Sequence, residues 1–220
     1  MAHFNPINLS TKPAGYYSYS REEMLKFIPK DAGLILDVGC GDGSFGLAVK
    51  KILNTEVWGV EQNGEVGTIA RGKIDNVLVG DISKLMAELP ESRFDCIVFN
   101  DVLEHLVDPF KVLMEIKKKL SAKGIIICSI PNTRYIFLLY ELLVKKQWRY
   151  GDEGILDKTH LRFFTKKSFT DTLKALGYKV LRIEGINGVR LWKFLPLNIL
   201  SLGYLSDTRY LQFVCVAKPL

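Results

Sequence analysis

Residues able to do chemistry gather at a few places in the chain, and the densest is Asp37-Val-Gly39-Cys40-Gly41-Asp-Gly43-Ser-Phe-Gly46. Its glycines alternate with small or polar residues directly after the apolar run Leu34 to Leu36. Glycine takes positive φ without steric cost, and its missing side chain lets a ligand lie against the backbone while a following helix presents unpaired N–H groups. A dinucleotide fingerprint, Gly-x-Gly-x-x-Gly, does not fit, because its third glycine would fall on Ser44. No Gly-Lys-Ser/Thr follows to hold a triphosphate. Asp37, just ahead of the first glycine, suits a cationic group better than a pyrophosphate. Four later places carry polar groups: Glu61-Gln62, Asp81-Ile82, Asn100-Asp101 with Glu104-His105, and Asp157-Lys-Thr-His160 with Arg162.

The elements that must hold these groups read as strands alternating with helices. Val57 to Val60, Val77 to Val79, Phe94 to Phe99 and Ile125 to Ile130 are short apolar runs that follow the first strand, and Tyr178 to Ile183 and Tyr210 to Ala217 come later. Helices are expected over Arg21 to Ile28, after the glycine loop, and from Asp108-Pro109 with Phe110, Leu113, Ile116 and Leu120 on one face and Gly124 beyond its end. Thr165 caps another, with Phe169, Leu173 and Leu176 apolar and Gly177 terminal. Such alternation predicts βαβ units and a parallel sheet, whose strand carboxyl ends form the ligand crevice. Glu61, Asp81 and Asn100-Asp101 all stand at strand ends. Glu61, about twenty residues beyond the glycines, is placed to accept from ribose hydroxyls. Asp81 also reads as a helix N-cap.

Together Asp37 and the glycine loop, Glu61, Asp81 and the Asp101-to-Leu106 run resemble the class I methyltransferases that use S-adenosylmethionine, across most of the chain. That resemblance implies an α/β Rossmann-like three-layer sandwich with a mostly parallel seven-stranded sheet and an antiparallel last strand. It implies S-adenosyl-L-methionine as cofactor, with S-adenosyl-L-homocysteine as product, held by Asp37, Gly39, Cys40, Gly41, Gly43, Glu61, Gln62, Asp81, Ile82, Asn100 and Asp101. Asp81 would accept from an adenine amino group, with Ile82 against the base. An aromatic near Tyr16 or Tyr17 lies over the cofactor in many relatives.

The Glu-His-Leu-x-Asp-Pro run and Ser-Ile-Pro-Asn resemble the branch that methylates small metabolites, including quinone precursors and sugars. Glu104, His105, Asn132 and Arg162 are then expected in the substrate pocket. Of the three histidines, His3 lies in the N-terminal arm, so His105 and His160 are the candidates for a general base, a role histidine fills by default. His160 is taken as the base and Asp157 as its partner. Some quinone-pathway relatives hold a divalent metal with an acid, a Glu and a His, an order that Asp101, Glu104 and His105 keep. A histidine ligand is unusual for Mg²⁺, and no metal is expected.

The chain of 220 residues is read as one domain, 1–220, with an N-terminal arm and helix over 1–30 and insertions at 133–160 and 186–206 on the substrate side. A 48% apolar composition is ample for a packed core. The four cysteines, far apart and without a Cys-x-x-Cys, read as reduced core residues of a cytoplasmic protein, and the N-terminus lacks a signal-peptide plan. Residues 1–110 hold ten Lys/Arg and sixteen Asp/Glu; residues 111–220 hold twenty and eight. The basic second half fits an acidic substrate, a phosphorylated carrier or an anionic membrane surface, although the Lys117-Lys118-Lys119 cluster reads as a solvated helix face; the acceptor is expected to be a small molecule or a glycan- or lipid-linked intermediate.

The apolar Tyr135 to Val144 stretch is too short to span a bilayer, and serves as a cap over the pocket or an interfacial anchor. A nucleic-acid or protein methyltransferase fits the basic half, but no Asn-Pro-Pro-Tyr-type motif follows the fourth strand. A non-catalytic cofactor-binding module is the remaining alternative.

Overall fold

A computed structural model describes residue 15 and residues 17–220, apart from the side chain of Lys193. A four-residue α1 (Glu22–Leu25) leads to β1 (Leu34–Val38), which is buried at every position because sheet neighbours and helices cover both its faces. There follow α2 (Ser44–Ile52), β2 (Glu56–Glu61), α3 (Gly64–Ala70), β3 (Asn76–Val79), α4 (Ile82–Leu85) and β4 (Phe94–Asn100). The second half contains α5 (Pro109–Glu115), β5 (Leu120–Pro131), α6 (Ile136–Leu143), α7 (Lys166–Ala175), β6 (Tyr178–Gly188), α8 (Leu191–Leu200) and β7 (Tyr210–Pro219).

The sheet has seven strands in the order β3-β2-β1-β4-β5-β7-β6. The first five are parallel to one another, and β7 runs antiparallel to both β5 and β6. Strand alternation sorts the core into two layers: Leu34, Leu36 and Val38 join Val112, Phe169 and Leu173 on one face, while Ile35 joins Met24, Phe45 and Val49 on the other. Helices on both faces give the expected three-layer sandwich. The four cysteines are buried and unbridged.

Several boundaries differ from the sequence expectation. The first helix is one turn rather than Arg21 to Ile28: Arg21 takes a left-handed φ of 46° and stands outside it, and beyond Leu25 the chain goes on in tighter turns, with Phe27 N–H on the Met24 carbonyl and Ile28 N–H on that of Leu25. The helix from Pro109 passes into a 3₁₀ turn at Ile116–Lys119, and Leu120 already pairs with Phe94 as the start of β5. Gly124 therefore lies inside a strand, where a Cβ would come 2.7 Å from the Phe94 carbonyl oxygen; it is not the helix terminator. Leu113 and Ile116 are buried, but Phe110 is exposed.

The Lys117-to-Lys119 cluster is not a uniformly solvated face. Lys119 is buried, donating to the Leu89 carbonyl at 2.9 Å and pairing with Glu91, and Lys117 lies over the Tyr178 ring at 4.6 Å. β6 runs five residues beyond Ile183, so residues 186–188 belong to the sheet rather than to an insertion. α6 follows the carboxyl end of β5, and α8 follows that of β6. Both therefore rise from the edge where the parallel strands end.

Candidate active site

A cleft of about 1200 Å³ opens along the carboxyl ends of β1, β2, β3 and β4. The glycine loop forms one wall. Gly39 and Cys40 N–H groups donate to the Val60 carbonyl at 2.8 and 3.1 Å, and this seam fixes the loop on the end of β2. At Gly41, with φ of 55°, a Cβ would stand 2.6 Å from the Tyr17 carbonyl oxygen, so both the turn and the close approach of the N-terminal segment require glycine.

Glu61 buttresses the loop. Its carboxylate accepts from Gly41 N–H and Asn63 N–H, each at 2.9 Å, which locks the rotamer and leaves further lone pairs directed to the cleft. Asp81 caps α4 through the Ser83 N–H at 2.9 Å and also lines the cleft, with Ile82 beside it. Both readings of Asp81 are thus geometrically compatible.

Asp37 is left unsatisfied. It is 1% exposed, and neither carboxylate oxygen has a hydrogen-bond partner among the described residues. Burial, reinforced by the Glu61 charge and partly offset by Arg21, pushes its pKa up to about 8. Asn100 also has both side-chain polar atoms buried without a partner. A buried acid and amide left unpaired in a cleft call for a polar, cationic ligand group.

Asp101 is different. Its N–H donates to Ser129 Oγ at 3.0 Å, its Oδ1 accepts from the same hydroxyl at 2.7 Å, and its Oδ2 accepts from Gln212 Nε2 at 2.7 Å and from Arg21. It borders the cleft with its carboxylate already engaged by protein, in a left-handed backbone conformation at φ 54°. Arg21, Ser129 and Gln212 were missed by the sequence reading. Ser129 sat inside the quoted Ser-Ile-Pro-Asn run, whereas Arg21 and Gln212 had no local signal.

Beyond Asp101, the Glu104 carbonyl accepts from Leu161 and Arg162 N–H groups at 2.7 and 3.0 Å, docking the 157–162 loop onto the turn after β4. This brings His105 and His160 together with ring centroids 4.6 Å apart. Their environments differ. His105 lines the cleft with Thr159, and its Nδ1 lies 3.0 Å from Thr159 Oγ1, which itself donates to Asp157 Oδ1 at 2.7 Å. A threonine hydroxyl that gives its proton to Asp157 must accept from Nδ1–H, so Nε2 becomes the basic nitrogen of His105.

His160 does not line the cleft. Its Nδ1 meets the Ile155 carbonyl at 2.9 Å, and its Nε2 lies 3.9 Å from Glu104 Oε1. Glu104 is buried with both carboxylate oxygens unpaired among hydrogen-bonding groups, and burial, with Asp101 nearby, holds its pKa well above the usual carboxylate value. Asp157 is also off the cleft wall, buried beneath Thr159.

The expected cofactor residues line the cleft, with Gly43 the exception: it caps α2 and packs against Ala70. Tyr17 lines it, while Tyr16 and His3 fall outside the described residues. Of the four pocket residues, His105 alone faces the cleft. Glu104 lies beneath it. Asn132 is fully buried and donates to the Asp207 and Tyr210 carbonyls, each at 2.9 Å, which makes it a brace between β5 and β7. Arg162 donates to the Leu161 and Val107 carbonyls. Among the described residues, the side-chain atoms able to ligate a metal that converge within 4.8 Å belong to Glu104, His105 and His160, so the set contains His160 where the sequence order had Asp101.

A family profile described as a methyltransferase domain matches residues 15–183. The chain belongs to that methyltransferase family. It is 34% identical to an uncharacterised methyltransferase of Schizosaccharomyces pombe over 48% of this chain and 42% of the relative, so the match spans less than half of that protein. It is also 26% identical to a ubiquinone biosynthesis O-methyltransferase of Aliivibrio fischeri, over 80% of this chain and 75% of that one. In three dimensions it superposes on a SAM-dependent methyltransferase from Archaeoglobus fulgidus with a TM-score of 0.69, 20% identity, and 89% and 91% of the two chains covered. The fold is that of the class I S-adenosylmethionine-dependent methyltransferases.

Proposed function

We propose that this protein binds S-adenosylmethionine along the ends of β1 to β4 and methylates an oxygen of a small metabolite or of a glycan- or lipid-linked intermediate. The observation that carries the cofactor assignment is the unpaired, buried Asp37 carboxyl at the foot of the glycine loop, which a cationic amino-acid moiety would complete. Glu61 would hold ribose hydroxyls, Asp81 and Ile82 the adenine, and Asn100 the remaining polar edge. Bound there, the cofactor supplies a methyl carbon on a positively charged sulfur.

What the chain adds is position and proton transfer. Holding the acceptor oxygen in line contributes up to about 7–11 kcal/mol. His105 Nε2 takes the acceptor's hydroxyl proton, while Thr159 and, behind it, Asp157 fix the ring and its tautomer. His160 and Asp157 thus act on His105 from behind rather than on the acceptor. A general base is worth about 10²–10⁴-fold. Oxygen as the acceptor is supported by the likeness to the ubiquinone biosynthesis O-methyltransferase, whose name specifies that atom.

The test is to incubate the protein with methyl-labelled S-adenosylmethionine and fractionated extract, then recover the labelled class. Label on a hydroxyl-bearing small molecule or glycan or lipid intermediate is expected. Label confined to protein or nucleic acid would overturn the acceptor, and failure to bind cofactor in a calorimeter would overturn the whole reading.

A further inference from the structure

Fourteen of the twenty-four large apolar side chains exposed among the described residues fall in two short stretches, 137–150 and 191–204. Each stretch is built around a helix that turns one residue inward and a stripe outward. α6 buries Leu138 and exposes Phe137, Tyr140 and Val144, one helical face, with Leu143 beside them at 72% exposure. α8 buries Phe194 and exposes Leu191, Leu195 and Ile199 in one row, with Trp192 at 68%. Exposure on this scale costs solubility unless something covers it.

The two stripes rise from one edge and are tied together at their base. Arg134, just before α6, pairs with Asp207 at 2.7 Å and lies 5.8 Å over the Tyr204 ring. The same edge carries the cleft, whose rim includes Glu153 and Gly154 after the first stretch and Asn187 before the second. The charge is one-sided. Within 137–150 the exposed Lys145, Lys146 and Arg149 stand against a single acid, Glu141, which pairs with Lys145; of the next two acids, Asp152 pairs with Lys158 and Glu153 borders the cleft. Arg190 is exposed before α8, and residues 189–205 contain no acid. Two copies meeting through this face would bring like charges together, which disfavours self-association. Aromatic rings and basic side chains around an apolar stripe match the headgroup zone of an anionic bilayer.

We propose that α6 with residues 144–150, together with α8, docks on an anionic lipid bilayer and sets the mouth of the cleft against it. Joined to the methyl-transfer reading above, on which this second clause rests, the acceptor is an amphiphile whose hydroxyl stands at the membrane interface. No helix of the described residues is long and apolar enough to cross a membrane.

The experiment sediments the full chain with phosphatidylcholine vesicles containing or lacking phosphatidylglycerol, with cofactor affinity measured separately by calorimetry. Binding to the phosphatidylglycerol vesicles is expected, weakened by added salt. Lys145→Ala with Lys146→Ala should lower it about 30-fold, from the usual contribution of each basic residue near an anionic surface. Leu143→Asp with Trp192→Asp should reduce it at least about tenfold, with unchanged circular dichroism and cofactor affinity. The proposal fails if wild type ignores anionic vesicles, if both double variants bind like wild type, or if the wild type is a dimer that the Leu143→Asp, Trp192→Asp variant splits. Intact cofactor affinity alongside any of these would leave the methyl-transfer reading standing.

Discussion

The two halves of the cleft are built by opposite means. On the β1-to-β3 side, short turns end each strand, the backbone itself does much of the holding, and the segment is acidic, net −6 over residues 1–110. On the β5-to-β7 side, long excursions over 132–165 and 189–209 rise above the sheet, side chains do the work, and residues 111–220 carry net +12. The contrast separates two tasks. On the proposed reading a cationic cofactor would meet a rigid, acid-lined wall, and an acceptor would meet His105 at the turn after β4 beneath side chains mounted on excursions that can change without disturbing the sheet.

That division can be broken by mutations whose effects should fall on different constants. The largest effect is expected at His105→Ala, which should lower kcat by about 10²–10⁴ while cofactor affinity stays within error. Equal damage to cofactor binding would move His105 to the other wall. Gly41→Val comes next: strain at positive φ and collision with the Tyr17 carbonyl should weaken cofactor binding by roughly 10–100-fold in calorimetry, with the thermal transition still cooperative. Wild-type affinity would show that the loop does not approach the ligand.

Asp37→Asn is a finer test because it concerns protons. In the free protein the Asp37 pKa stands at about 8, raised from 3.8 chiefly by burial. A cationic ligand should force it to ionise, so binding at pH 7 should release about one proton from this residue, a release that Asp37→Asn removes. Calorimetry in buffers of different ionisation enthalpy reads this directly, and identical proton release by both proteins would exclude Asp37 as the cation's partner. The same shift sets the sign for stability. A carboxyl whose folded pKa is raised favours folding fully below about pH 4 and loses that contribution as pH rises through about 8. The melting temperature of wild type should therefore fall more steeply than that of Asp37→Asn between those values. The smallest expected effect is at Thr159→Val, which removes the hydroxyl between His105 and Asp157 and should cost a few-fold in kcat, about the worth of one hydrogen bond. An altered pH–rate profile with unchanged acceptor KM would mark positioning; no change at all would remove Thr159 from the relay.

Much of the cofactor wall was legible in the chain because its groups belong to strand ends and the turns directly after them. The glycine spacing, Glu61 at the end of β2 and Asp81 just after β3 each follow from local pattern. The helix boundaries near Lys119 and Gly124 were less so. A helix that tightens into a 3₁₀ turn and enters a strand at once keeps an apolar pattern that either element could own.

By itself, then, the sequence determined the parallel sheet, the ligand edge and the acid-lined glycine loop, since these rest on interactions between near neighbours and on alternation along strands. Only the tertiary structure decided which histidine lines the cleft, that Asp101 is consumed by Arg21, Ser129 and Gln212, and that Asn132 braces the sheet. Those contacts join residues 28 to 111 positions apart. No local spacing encodes such pairs, because they exist only once loops from separate strands are held against one another by the packed core.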